Sequence, residues 1–276
     1  MKTYIGGQAV IEGVMMASRK KIAVAVRTPK KKIKLKIEKR SPVAERFRKT
    51  PLLRGLVSLF EMLVIGTKAL NWSSNQQLET DEQLSSWAMT LTLLFSLGLA
   101  IGLFIALPLW LSGFASDNRI IFNLVDGFWR IVLFVGYLYL ISRSKEIQRV
   151  FQYHGAEHKT INCYEQQKPL TIKNVQKCST IHPRCGTSFT FIVLIISILL
   201  FSLIWSDYWY IKFLERIVLI PVIAAVGYEV LRYNATGKSK LLQWLTIPGL
   251  WLQKITTREP DDDMVKVAVK AFNAVK

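Results

Sequence analysis

The sequence predicts an α-helical membrane protein with four transmembrane helices arranged as two hairpins, together with interfacial helices and a small cytoplasmic β-containing region at the N-terminus. Three observations predict it. Charge vanishes between Trp87 and Ser116 and again between Cys185 and Ser206, and lipid is the natural solvent for apolar blocks of that length. Basic residues avoid the apolar blocks and crowd the segments between them. Strict apolar alternation is confined to the stretch from Ile22 to Ile37.

Crossing a hydrocarbon core of about 30 Å takes roughly 20 residues at the helical rise. Four windows qualify. Ser86 to Ser112 and Ile120 to Ser142 are joined by a polar turn around Ser116, Asp117 and Asn118, giving the first hairpin within residues 86–142. Thr187 to Trp205 and Ile211 to Leu231 are joined at Ser206 and Asp207, giving the second within residues 187–231. The fourth window carries Glu215 and Arg216 near its start and is interrupted by Pro221. The flanking regions are residues 1–50, 51–85, 143–186 and 232–276.

Orientation follows from the 37 Lys and Arg residues: seventeen precede the first window, eight lie from Arg143 to Arg184 and eight follow Leu231. Cytoplasmic flanks carry this excess, so both termini and the central loop are expected inside the cell membrane. Met1 to Thr50 lacks the apolar core of a secretory signal. A net charge of +18 on the inner face attracts anionic lipid headgroups at about 1 kcal/mol per basic residue. A ribosome or other polyanionic complex is the alternative partner. Aromatic interleaving is poor between Lys20 and Lys39, which argues against nucleic-acid readout and specific DNA binding. An oligomer is compatible with all of this.

The opening run Gly6-Gly7-Gln8-Ala9-Val10-Ile11-Glu12-Gly13-Val14-Met15-Met16 places three glycines around an apolar core and lacks the order of a phosphate-binding loop. From Ile22 the alternation continues through Val24 and Val26, breaks at Thr28-Pro29-Lys30, and resumes at Ile33, Leu35 and Ile37. That pattern predicts two strands. Such a hairpin needs a further strand, which the Gly7–Met16 run or the central loop would supply. Pro51 to Trp72 reads as a helix in the interface plane with Trp72 at headgroup level, and Gln243 to Ile255, with Trp244 and Trp251 around Pro248, as a second such segment. The tail opens with Glu259-Pro260-Asp261-Asp262-Asp263, suited to a helix N-terminus, and Val265, Ala268, Val269 and Phe272 then share a face.

Every histidine and cysteine lies between His154 and Cys185. His154, His158, Cys163, Cys178, His182 and Cys185 thus share one short segment, as metal ligands do, and disulfides are not expected in a reducing compartment. His154-Gly155-Ala156-Glu157-His158 has the His-x-x-Glu-His order, and on a helix both imidazoles and the carboxylate share a face. Two imidazoles would hold Zn²⁺ while Glu157 acts as general base. The third ligand is expected from His182 or Cys185, His182 being favoured, with Cys163, Cys178 and Glu165 behind them. Two other readings stay open: a closed structural zinc site using Cys178, His182 and Cys185 with His158 or Cys163, and a polar loop core without metal. Asp126 and Arg130, four apart in the second window, read either as a polar cavity or as an ion pair holding the bundle.

The three runs Gly-Gly-Gln-Ala-Val-Ile-Glu-Gly-Val-Met-Met, His-Gly-Ala-Glu-His-Lys and His-Pro-Arg-Cys-Gly-Thr-Ser-Phe, in this order and followed by the Glu259-Pro260-Asp261-Asp262 tail, resemble the YqhQ family of bacterial membrane proteins. The resemblance spans nearly the whole chain. It implies a metal-dependent enzyme without assigned activity and points to Glu12, His154, Glu157, His158, His182 and Cys185. The resulting expectation is a cytoplasm-facing zinc-dependent hydrolase acting on membrane proteins or lipids, with Glu157 and Glu12 catalytic. The alternative is a noncatalytic biogenesis or scaffold factor whose basic face docks on a ribosome, translocon or other membrane complex.

Overall fold

The structure, a computed structural model, describes residues 5–40, 46–47, 49–78, 86–115, 118–204, 206–234 and 240–276. The expected turn residues Ser116 and Asp117, and the end of the 51–85 linker, lie outside them.

The N-terminal region is a four-stranded antiparallel meander in sequence order: β1 Gly6–Val10, β2 Gly13–Ala17, β3 Lys21–Arg27 and β4 Ile33–Lys39. Of the two sources considered for extra strands, the glycine-rich run supplies both. Gly7 pairs with Met16 and Val14 with Ala25. The β1–β2 turn holds Glu12 at φ 51, and a Cβ on Gly13 would sit 2.2 Å from the Ala25 carbonyl oxygen, so that turn requires glycine.

β2 is buried along its whole length because both faces of the sheet are covered. Val14, Met16, Ala23 and Ala25 pack against the C-terminal helix α10, Asp262–Val275. Val10, Met15, Ile22, Val24 and Val26 pack against Ala69, Met62, Ile65 and Trp72 of helix α1, Leu53–Asn75. Trp72, expected at headgroup level, therefore contributes to the core of the sheet. Two of the three charges of α1 are paired as well, Arg54 with Glu229 and Glu61 with Arg40.

Next come α2 Ser86–Ile101, a single π-helical turn Gly102–Ala106, α3 Leu107–Gly113 and α4 Arg119–Ile141. The continuous run Thr90–Gly113 and α4 are long and apolar enough to cross a membrane. No residue of the most apolar stretch of that run is buried, and Phe95, Leu94 and Leu97 stand out from it exposed. Such an all-round apolar surface has no favourable solvent in water. The third expected span forms only the 16-residue helix α7, Gly186–Phe201, about 24 Å at the helical rise. The fourth forms α8, Trp209–Asn234, unbroken through Pro221 but carrying Lys212, Glu215, Arg216 and Glu229.

Between the apolar helices lie α5, Lys145–Glu165, and the short α6, Ile172–Gln176. The segment expected as a second interfacial collar is α9, Lys240–Thr256. Its Trp244 and Trp251 are exposed, yet it crosses α7 so closely that a Cβ on Gly249 would lie 2.8 Å from Ser188 Cα. The tail helix α10 starts on its Asp261 cap, which accepts from the Met264 N–H at 2.7 Å. It buries Met264, Val267 and Ala271 in addition to Val265, Ala268 and Phe272, a wider face than one stripe, because it is wedged between sheet, α5 and α6.

Phe272 is fully buried and Phe95 is 73% exposed. Phe272→Ala is expected to destabilise the detergent-purified chain by about 3 to 5 kcal/mol, whereas Phe95→Ala stays within about 0.5 kcal/mol. Thermal melts of the two variants check this contrast.

Candidate metal centre

Helix α5 starts on the Ser144 cap and runs unbroken through the His-Gly-Ala-Glu-His motif. Its glycine is a packing requirement: a Cβ on Gly155 would lie 2.0 Å from the Arg258 carbonyl oxygen. The chain leaving α9 lies directly across α5 at that point, and the Arg258 N–H donates to the Phe151 carbonyl at 2.9 Å.

This crossing places the Thr256 carbonyl 2.8 Å from His154 Nδ1. One turn further on, His158 Nδ1 lies 2.5 Å from the Thr180 carbonyl. A carbonyl only accepts, so Nδ1 carries a proton in both rings and Nε2 is the nitrogen left to face a ligand. The Thr180 loop is itself held by Asn162, whose Nδ2 donates to the carbonyls of Ser179 at 2.8 Å and Ile181 at 3.0 Å.

The rings of His154 and His158 lie 4.3 Å apart between centroids. Cys185, which caps α7 by accepting from the Thr187 N–H, places its Sγ 3.3 Å from His154 Nε2. Ligand atoms of His154, His158 and Cys185 all fall within 4.8 Å of one another. Two imidazoles, each held through Nδ1 by a backbone carbonyl, and a thiol match the donor set and outer-shell support of zinc sites, with a fourth tetrahedral position left over.

His182, the favoured third ligand, is engaged elsewhere. Its Nδ1 accepts from the Arg184 N–H at 3.3 Å and its Nε2 faces Glu165 Oε2 at 3.4 Å, so both nitrogens are in use. Its ring still stacks 5.7 Å from that of His158, and burial, with His158 and Arg184 nearby, pushes its pKa down to about 4. Glu165 also pairs with Arg184. Cys163 and Cys178 lie together in an apolar cluster with Val175 and Val265, where burial and then Cys178 push the Cys163 thiol up to about 11. The four-ligand closed site therefore does not assemble.

Glu157 is buried and lines a cavity of about 350 Å³ beside the three donors, with Gly7, Arg40, Ile161 and Arg184 among its walls. Burial pushes the Glu157 carboxyl up to about 7, opposed by His154 and by the hydrogen bond from the Gly7 backbone. A Cβ on Gly7 would lie 2.9 Å from the Glu157 side chain, which accounts for a glycine of the opening run. Glu12 is not part of this cavity. It forms an ion pair with Arg149 at 2.6 Å and accepts from the Tyr153 hydroxyl at 3.3 Å, so it fastens the β1–β2 turn to α5.

Gln253 was not anticipated. Fully buried, it accepts from the His182 N–H, donates to the His182 carbonyl at 2.9 Å and donates to Ser188 Oγ at 3.0 Å. A lone amide beside the apolar run of α9 was its only signal.

Residues 50–276 match the family described as protein of unknown function (DUF1385). The chain belongs to this family. It is also 38% identical over 292 residues to the uncharacterized protein YqhQ of Bacillus subtilis (strain 168), covering 97% of this chain and 91% of that protein. No solved structure matches. The family match begins at residue 50 and so leaves the sheet and Gly7 outside, whereas the likeness to the Bacillus protein extends over almost the whole chain.

In a solvent-exposed helix Gly→Ala stabilises by about 1 kcal/mol, so Gly155→Ala distinguishes a spacer from a contact. The close approach predicts the opposite sign, a loss of at least about 1 to 3 kcal/mol, measured as a lowered midpoint of thermal unfolding.

Proposed function

We propose that the chain is a multi-pass protein of the bacterial cell membrane, crossing it four times with both termini cytoplasmic, and that the His154, His158 and Cys185 centre at the inner surface serves a zinc-dependent hydrolase acting on membrane proteins or lipids. The two long apolar helices, the exposed apolar surface of α2 and the distribution of Lys and Arg support the membrane topology. Exposed Trp244 and Trp251 on α9 fit the headgroup level.

The observation that carries the catalytic reading is the convergence of one ligand atom each from His154, His158 and Cys185 within 4.8 Å, each imidazole pinned through Nδ1 to a backbone carbonyl. Three protein donors with a cavity beside them are the arrangement of catalytic rather than closed sites. A bound divalent cation supplies Lewis acidity there. Glu157, in the same cavity, takes up and returns a proton at its carboxylate. Arg184, held by Glu165, lines the same space and orients an anionic or carbonyl-bearing substrate group.

One observation favours a second reading. Cys185 Sγ at the start of α7, 3.3 Å from His154 Nε2, is also a thiol–imidazole pair of the kind that performs nucleophilic catalysis without metal. Elemental analysis separates the two. The metal reading expects stoichiometric zinc in the purified chain, lost in the double variant His154→Ala/His158→Ala. It further expects Glu157→Gln to keep its zinc and its fold while complementation of a deletion strain falls by about 10²-fold or more. Metal-free protein whose Cys185 is readily alkylated favours the thiol. Full complementation by Glu157→Gln, with a ribosome or membrane complex retained on purification, favours the noncatalytic factor.

A further inference from the structure

A second polar centre lies at the other end of the helical bundle. Arg216 donates from Nη1 to Asp126 Oδ1 at 3.0 Å, and Arg130 donates from Nε to Asp126 Oδ2 at 2.8 Å. All three side chains are within 4% of full burial. Arg130 is fixed further by Pro108, which has no N–H to offer the Phe104 carbonyl four residues back; Arg130 Nη1 donates to that carbonyl at 3.0 Å. One carboxylate thus faces two guanidinium groups, while Glu215, next to Arg216 in the chain, has its Oε2 buried without a hydrogen-bond partner among the described residues. The three paired groups by themselves carry one more positive than negative charge, in surroundings where uncompensated charge is costly.

Arg216 is the less satisfied of the two arginines: its Nε is buried without a hydrogen-bond partner among the described residues. Arg216 lines a cavity of about 980 Å³, together with Arg119, Lys212 and the aromatic rings of Trp110, Phe122 and Trp209. Lys212 Nζ lies 4.5 Å from the Phe122 ring centroid, and Asp207 is the one carboxylate among the described lining residues. The size falls at the upper end of small-molecule sites. Apolar walls, three cations and one anion suit a ligand that is itself apolar with an acidic head.

We propose that this cavity binds an anionic phospholipid, its phosphate near Arg216 and Lys212 and its acyl chains along the aromatic walls. The site goes beyond the metal centre and neither rests on the other. Arg119, Phe122 and Asn123 of the lining start α4, whereas the Ser142 carbonyl at its far end accepts from Arg258. These ends are separated by 23 residues, about 35 Å at the helical rise.

Native mass spectrometry of the full chain in a neutral detergent tests the proposal, with short-chain phosphatidylglycerol, short-chain phosphatidylcholine and inorganic phosphate as separate probes. The expected result is a saturable single phosphatidylglycerol adduct, at least about tenfold preferred over phosphatidylcholine and not displaced by inorganic phosphate, as expected when headgroup charge and chain burial both contribute. Lys212→Gln weakens the adduct by about fivefold, one basic contact near a phosphate, and Lys254→Gln, near the metal centre, leaves it unchanged. Arg216→Gln removes it, and Lys212→Gln carries the test if Arg216→Gln does not fold. Equal adducts with both lipids, competition by inorganic phosphate alone, or full binding by Lys212→Gln would each overturn the assignment.

Discussion

The site depends on one close approach, the backbone of Thr256 to Arg258 lying across α5 at Gly155. That crossing brings the Thr256 carbonyl to His154 and joins the end of α9 to the start of α10. Lys159, one turn beyond Gly155, then pairs with Glu259 at 2.7 Å, and Gln176 of α6 donates to the Pro260 carbonyl at 3.0 Å. The end of α9, the start of α10, α6 and the His-bearing helix α5 are thereby fastened at one junction. Without it His154 would have a free ring and no reason to face Cys185.

Much of this was legible in the residues because it rests on local periodicity. Apolar blocks, the alternation in β3 and β4, and the acidic start of α10 each follow from neighbours in sequence. The helical spacing of His154, Glu157 and His158 is likewise local, and the structure keeps it. What was not legible depends on contacts between distant segments. Of the two expected third residues, Cys185 rather than His182 clusters with His154 and His158, and Arg184 and Glu165 occupy both nitrogens of the His182 ring. Glu12 looked like a site carboxylate, yet the left-handed turn at Glu12 directs it to Arg149. Helix α1 was read as interfacial from its own residues alone; the partners of Arg54 and Glu61, Glu229 and Arg40, lie outside the helix.

Both polar centres follow the same rule of burial. Polar groups taken out of water must find partners, and each centre satisfies most but not all of its groups. In the bundle, Asp126 neutralises one of two arginines. Around α5, the carbonyls of Thr256 and Thr180 satisfy Nδ1 of each histidine, and His154 Nε2 faces Cys185. The unsatisfied remainder, a positive charge in one place and a set of lone pairs in the other, has the chemistry of a ligand site: an anion for the first, a cation for the second.

Cobalt substitution tests the central claim most directly. If His154, His158 and Cys185 share one ion with an open fourth position, the Co²⁺-loaded chain shows the visible absorption of four-coordinate cobalt together with a near-ultraviolet thiolate-to-metal charge-transfer band, and Cys185→Ser abolishes that band while visible absorption persists. A spectrum of octahedral cobalt, or a charge-transfer band that survives in Cys185→Ser, would contradict it.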